Sequence, residues 1–145
     1  LFRDKIDEIM EQVKCPVAVF VNRQYREGAT VSFVLGGMID LFLFSYLDKM
    51  LQNGHSVRLF LFDTDDEEFR GRIDDLQVRY PEQTMIVWFA GVEDLVTEEK
   101  DGLLIMSHLS YTKLSEDEAV MRELSSLLVI RRNKNTGDKN EGLEN

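Results

Sequence analysis

Hydrophobic and polar positions along the chain follow two alternating periods, one typical of strands and one typical of helices. Short apolar runs rich in β-branched and aromatic residues predict strands. Segments between them, with apolar residues every three or four positions, predict helices. The predicted strands are 16–21, 30–35, 57–62, 84–90, 103–107 and 127–131. The predicted helices are 2–13, 38–53, 64–76, 92–100 and 115–125.

The order of these elements predicts the fold class. From Thr30 onward strands and helices alternate strictly, which is typical of a parallel sheet with helices on both faces. Five strands in this arrangement predict the order 2-1-3-4-5 or 3-2-1-4-5. The strand at 16–21 would be added at an edge. The strand at 30–35 is apolar on both faces apart from Ser32, which predicts a central position.

The helix predicted at 38–53 carries a wider apolar arc than contact with one sheet requires. We therefore expect further burial of this helix, in a homodimer or against another domain. Two capping boxes, Thr64 with Glu67 and Ser115 with Glu118, predict the starts of later helices. The domain organisation expected is an amphipathic linker helix at 1–14, an α/β domain at 15–132 and a disordered tail at 133–145.

Charge and length limit the classes of function. The formal net charge of −10 would repel a phosphate backbone, so no nucleic-acid partner is expected. The chain starts at Leu1, and we interpret it as a fragment of a longer protein. The apolar stretch 31–47 contains one charge, Asp40, is too short to span a membrane, and is split by Gly36-Gly37. We interpret it as core.

No catalytic set and no metal site can be assembled from the sequence. The acidic run that starts at Asp63 lacks the ligand spacing of a calcium loop, and a helix N-terminus explains it through the macrodipole. Cys15, the single cysteine, is expected to be a buried, inert thiol. His55 follows a helix stop and is expected at the surface.

The candidate ligand site lies where two strands end. If the strand order is 3-2-1-4-5, the chain reverses direction across the sheet between the strands that end at Leu35 and Ser107. Gly36, Gly37, Ser107 and His108 would then meet in one crevice. A tight turn is the alternative interpretation of the glycine pair, and a plain surface histidine is the alternative to a pH sensor at His108.

Residues 15–132 resemble the universal stress protein fold, an adenine nucleotide alpha hydrolase-like three-layer sandwich. The resemblance is closest to the cytoplasmic C-terminal regions of cation/proton antiporters. It is carried by Cys-Pro-Val-Ala-Val-Phe-Val-Asn-Arg at 15–23, the strand–Gly-Gly–helix unit at 31–48 and the strand at 56–62. Two closing apolar strands also match, Asp-Gly-Leu-Leu-Ile-Met-Ser at 101–107 and Leu-Leu-Val-Ile-Arg-Arg at 127–132.

The resemblance implies a non-enzymatic regulatory or assembly domain at the cytoplasmic face of the cell membrane. Its partner would be the membrane part of its own full-length chain, which would exchange sodium or potassium ions for protons. The alternatives are a free-standing universal stress protein that binds a nucleotide, and a small α/β enzyme or flavin-binding domain. The turn at 107–113 lacks the glycines with which the nucleotide-binding members cradle phosphates, so no cofactor is expected.

Overall fold

The computed structural model describes residues 2–97 and 99–132, and places six strands in one sheet. The strands are β1 Val17–Val21, β2 Val31–Leu35, β3 Val57–Phe62, β4 Thr84–Phe89, β5 Leu103–Ser107 and β6 Ser126–Arg131. The α-helices are α1 Phe2–Gln12, α2 Phe44–Gln52, α3 Glu67–Arg79, α4 His108–Leu114 and α5 Glu118–Glu123. Two 3₁₀ helices lie at Met38–Leu43 and Val92–Leu95. The tail predicted at 133–145 lies outside the described residues.

The sheet has the order β1-β6-β5-β2-β3-β4. Strands β2 to β6 are parallel, and β1 pairs antiparallel with β6 as an edge strand. This confirms the α/β class, the five parallel strands and the added edge. It also selects the order 3-2-1-4-5 of the two alternatives, because β2 lies between β3 and β5. Strand β2 is central, as its apolar faces predicted.

Two apolar cores, one on each face of the sheet, hold the layers together. On one face α1, α4 and α5 bury residues that include Ile6, Met10 and Tyr111. On the other face α2 and α3 bury residues that include Leu47 and Ile73. Helix α1 therefore packs on the domain through its apolar stripe, as its amphipathic pattern allows.

The crossovers change sides at the centre of the sheet. The connections from β2 to β3 and from β3 to β4 place α2 and α3 on one face. The connections from β4 to β5 and from β5 to β6 place Leu95 and helices α4 and α5 on the other face. The carboxyl ends of β2 and β5 therefore border a crevice at the topological switch point.

Three helix assignments from the sequence were wrong in detail. The helix predicted at 38–53 begins as the 3₁₀ helix Met38–Leu43, where the Asp40 N–H donates to the Gly37 carbonyl three residues back. The helix predicted at 92–100 is only the 3₁₀ turn Val92–Leu95. The segment interpreted as a turn after Ser107 is α4, whose residues Tyr111 and Leu114 are buried one helical turn apart.

Both predicted capping boxes were wrong because a nearby aspartate caps each helix instead. Asp66 accepts from the N–H groups of Glu68 and Phe69 at the start of α3, while the Thr64 hydroxyl accepts from Asp66 N–H. Asp117 accepts from Val120 N–H at the start of α5. Aspartate and threonine are both good N-caps, so the sequence pattern alone does not choose between neighbouring candidates.

Candidate functional site

The structure brings the predicted site residues to the switch-point crevice. Ser107 closes β5 and is buried, His108 opens α4, and both line a cavity of about 420 Å³. Gly36 and Gly37 follow β2, and a Cβ built on Gly36 would lie 3.5 Å from the Ser110 hydroxyl on α4. The glycine turn therefore lies directly against α4, beside the cavity.

Asp40 is the polar centre of this crevice. The residue is fully buried, with 0% of its surface exposed, and it lines the cavity. Its Oδ2 accepts from the Gly36 N–H at 2.6 Å and from the Ser110 hydroxyl at 3.1 Å. A carboxylate of the 3₁₀ helix thus links the glycine turn to α4.

The second oxygen of Asp40 has a different environment. Asp40 Oδ1 is buried and has no hydrogen-bond partner among the described residues. Burial of an unpaired carboxylate oxygen is costly, and native proteins leave few buried polar atoms without a partner. An unpaired carboxylate oxygen on a residue that lines the cavity is therefore the feature of the crevice that most needs a functional explanation.

Sequence reasoning missed Asp40 as a site residue. The signal was present, because Asp40 is the single charge in the apolar stretch 31–47. A lone acid on a predicted core helix must be paired, exposed or functional. The periodicity alone did not show which, since the carboxylate's partners Gly36 and Ser110 meet only in the folded chain.

Gly36 and Gly37 are required for different structural reasons. Gly37 has φ +139° and ψ −161°, a backbone conformation that is essentially restricted to glycine. Gly36 is required for close approach, since an added Cβ would lie 3.2 Å from Asp40 Oδ2. The pair forms the tight turn of the alternative interpretation, and of the four predicted site residues Ser107 and His108 line the cavity whereas Gly36 and Gly37 do not.

His108 connects the crevice to the first helix. Its Nε2 lies 2.9 Å from Asp7 Oδ1 on α1, and its ring stacks on Tyr111. The side chain is about a quarter exposed. Both interpretations of His108, a plain surface histidine and a pH sensor, stay predictions, and the contact shows which helix such a sensor would act on.

A second carboxylate centre lies at the opposite, amino ends of the strands. Glu99 accepts from the Thr30 hydroxyl at 2.6 Å through Oε2 and from Arg58 at 3.0 Å through Oε1. Arg58 also donates to the Ser32 hydroxyl. The Thr30 hydrogen bond, and after it the bond and charge of Arg58, hold the pKa of Glu99 below its ordinary value.

The acidic run that starts at Asp63 and the single cysteine form no binding site among the described residues. The acidic run supplies Asp66 as a cap and Glu67 and Glu68 to the first turn of α3, as the macrodipole interpretation predicted. Across the described residues, no group of three or more potential ligand side chains could hold a metal ion. Cys15 was predicted to be buried but is exposed, because it precedes the edge strand β1 instead of lying within the sheet.

Comparisons of the chain with protein-family models, with curated proteins and with solved structures returned no match. Within residues 2–97 and 99–132, no helix has the length and apolar character needed to cross a membrane.

Proposed function

We propose that this chain is a universal stress protein-like regulatory or assembly domain of a cation/proton antiporter. Ion exchange would take place in the membrane part of a longer chain, since ion-coupling acids belong inside a membrane bundle. The sequence resemblance over residues 15–132 is the basis of this proposal. The five parallel strands in the order 3-2-1-4-5 are compatible with it.

One observation favours this role over a free-standing nucleotide-binding stress protein. The Gly36 N–H, the backbone donor of the glycine turn, is bonded to the Asp40 carboxylate. A phosphate group at this turn would have to compete with that bond and approach a buried negative charge. The bond and the charge of Asp40 therefore disfavour a phosphate group at this turn.

Exposed apolar side chains supply surfaces for contact with another domain or subunit. Ile39, on the 3₁₀ helix, is 50% exposed, and Tyr46, on α2, is 45% exposed. Leu109, on α4, is 44% exposed and lies with Ile39 along the same cavity. Ile39 and Tyr46 belong to the wide apolar arc from which additional burial was predicted, and Leu109 extends that surface onto α4.

Calorimetric titration with ATP separates the two alternatives. We expect no binding to the wild-type domain, because Asp40 occupies the backbone donor that a phosphate would use. The same titration is carried out with Asp40→Asn, which removes the negative charge. Asp48→Asn, outside the cavity, is the control. Tight ATP binding by the wild type would favour the free-standing stress protein.

Removal of the domain from the full-length transporter tests the regulatory role itself. We expect truncation before Cys15 to change the pH dependence of ion flux in vesicles, whereas deletion of residues 133–145 alone should change it little. Identical flux across pH in all three proteins would contradict the proposal. It would also be contradicted if the reading frame upstream of Leu1 lacked hydrophobic segments of roughly 20 residues.

A further inference from the structure

The switch-point cavity is lined by two residues of opposite charge that both carry unpaired buried atoms. On the acidic side the unpaired atom is Asp40 Oδ1. On the basic side the unpaired atoms are Nε and Nη1 of Arg131, with no partner among the described residues. Because native proteins rarely bury such groups unpaired, their coincidence at one cavity indicates a ligand with complementary charges.

The two charged groups are held in place by other contacts. Arg131 donates through Nη2 to the carbonyl oxygens of Val13 and Cys15, which follow α1. Asp40 is held through Oδ2 by Gly36 and Ser110. Each side chain therefore uses one end for the protein and keeps the other end unpaired. A ligand that binds there meets groups already oriented by the fold.

The rest of the cavity wall supplies apolar surface. Ile39 and Leu109 line it and are about half exposed, and Phe42 is half-buried beside them with Arg132 stacked over its ring. A volume of about 420 Å³ lies within the range of small-molecule sites, about 300–1,000 Å³. An apolar wall with a few fixed polar groups is the usual composition of such a site.

We propose that this cavity binds the zwitterion of an apolar α-amino acid. The ligand ammonium donates to Asp40 Oδ1, the ligand carboxylate accepts from Nη1 of Arg131, and the side chain lies against Ile39, Phe42 and Leu109. A simple amine would leave the guanidinium unpaired, and a simple carboxylate would leave Asp40 unpaired. This proposal does not depend on the link to an antiporter.

The ligand arm of the test uses the intact wild-type chain. Thermal unfolding and calorimetry are carried out with L-leucine, L-isoleucine and L-phenylalanine, each of which carries both charges and an apolar side chain. The matched comparators are glycine, N-acetyl-leucine and leucine methyl ester, which lack the side chain, the ammonium or the carboxylate. We expect at least one of the three amino acids to raise the unfolding midpoint and the comparators to bind about tenfold or more weakly.

The variant arm assigns the contacts. Asp40→Asn keeps an oxygen for the Gly36 N–H, and Arg131→Lys keeps a donor for the backbone carbonyls, so both variants should fold. Each should weaken binding about tenfold or more. Asp48→Asn and Arg79→Gln disrupt an ion pair outside the cavity and should leave binding unchanged.

Three outcomes would overturn the proposal. The first is that none of the three amino acids binds the wild-type chain. The second is that a comparator lacking one charge binds as well as leucine. The third is that a folded Asp40→Asn or Arg131→Lys variant keeps full affinity. Because the ligand arm needs no variant, a failure of either variant to fold leaves the first two outcomes decisive.

Discussion

The two carboxylate centres at opposite ends of the sheet differ in how their oxygens are used. Glu99, at the amino ends, has partners on both oxygens, Thr30 and Arg58, and its side chain is 48% exposed. Asp40, at the carboxyl ends, is fully buried, has both partners on Oδ2 and leaves Oδ1 unpaired. The exposed acid is completely paired, and the buried acid is not.

This difference separates a structural acid from a candidate functional one. An exposed ion pair costs little to form and contributes little to stability. A buried carboxylate is expensive, and an apolar side chain would avoid that cost. The carboxylate of Asp40 therefore needs a use beyond the two hydrogen bonds of Oδ2, whereas that of Glu99 does not. Mutations at the two centres, and at the turn between β2 and Asp40, test this distinction.

The largest effect is expected for Asp40→Ala. Two donors, the Gly36 N–H and the Ser110 hydroxyl, lose their charged acceptor, and we expect a loss of about 3 kcal/mol in the free energy of unfolding. Asp40→Asn keeps one acceptor oxygen and should lose less than about 1 kcal/mol. Urea denaturation measures both, with Asp48→Ala, at a half-buried position outside the cavity, as a control.

The relative stabilities of Asp40→Asn and Asp40→Ala show whether Asp40 differs from the structural acid Glu99. If Asp40→Asn is nearly as stable as the wild type, the charge is dispensable for folding and is retained for another purpose. If Asp40→Asn is as unstable as Asp40→Ala, the negative charge itself stabilises the fold, and Asp40 is a structural acid like Glu99.

A smaller loss is expected for Gly37→Ala. The backbone at φ +139° is strained for any L side chain, which costs about 2 kcal/mol. Gly71, exposed within α3, is the matched control, because Gly71→Ala should stabilise by about 0.5 kcal/mol through helix propensity. Urea denaturation of both variants shows whether Gly37→Ala destabilises the protein and Gly71→Ala stabilises it. Equal effects would show that the turn has no special backbone requirement.

The smallest effect is expected for Glu99→Gln. The folded pKa of Glu99 lies below its ordinary value of 4.5, so its ionisation stabilises the fold above that pH. That contribution is lost as the pH falls through the lowered folded pKa. Because the side chain is half exposed, the loss in the variant at neutral pH should stay below about 1 kcal/mol.

Urea denaturation between neutral and acidic pH tests this sign. The wild type should lose its advantage over Glu99→Gln as the pH drops below about 4.5, and Glu116→Gln, at an exposed position, should show no comparable change. An advantage of the wild type that grows toward acidic pH would contradict the assignment of Thr30 and Arg58 as the stabilising partners.

Much of the fold could be predicted because it depends on local patterns. Short β-branched runs and helical spacing identified all six strands, and the alternation implied their parallel pairing. Helix α4 was missed because His108–Leu114 is short and follows a strand without a break. The caps were misplaced because Thr64 and Asp66 compete within three residues.

The site could be predicted only in part. The strand ends identified Gly36, Gly37, Ser107 and His108, since the order 3-2-1-4-5 places the carboxyl ends of β2 and β5 side by side. The partner of His108 could not be predicted, because Asp7 lies 101 residues away on α1. Contacts of that sequence separation depend on how the helices pack on the sheet.

The sequence by itself determined the class of fold, the central position of β2 and the tight turn at Gly36-Gly37, because each depends on periodicity or on backbone sterics within a few residues. Only the tertiary structure decided which strand order formed, and that Asp40 and Arg131 line one cavity with unpaired buried atoms. Burial and hydrogen-bond satisfaction are properties of surroundings that come from distant parts of the chain, and those surroundings exist only after folding.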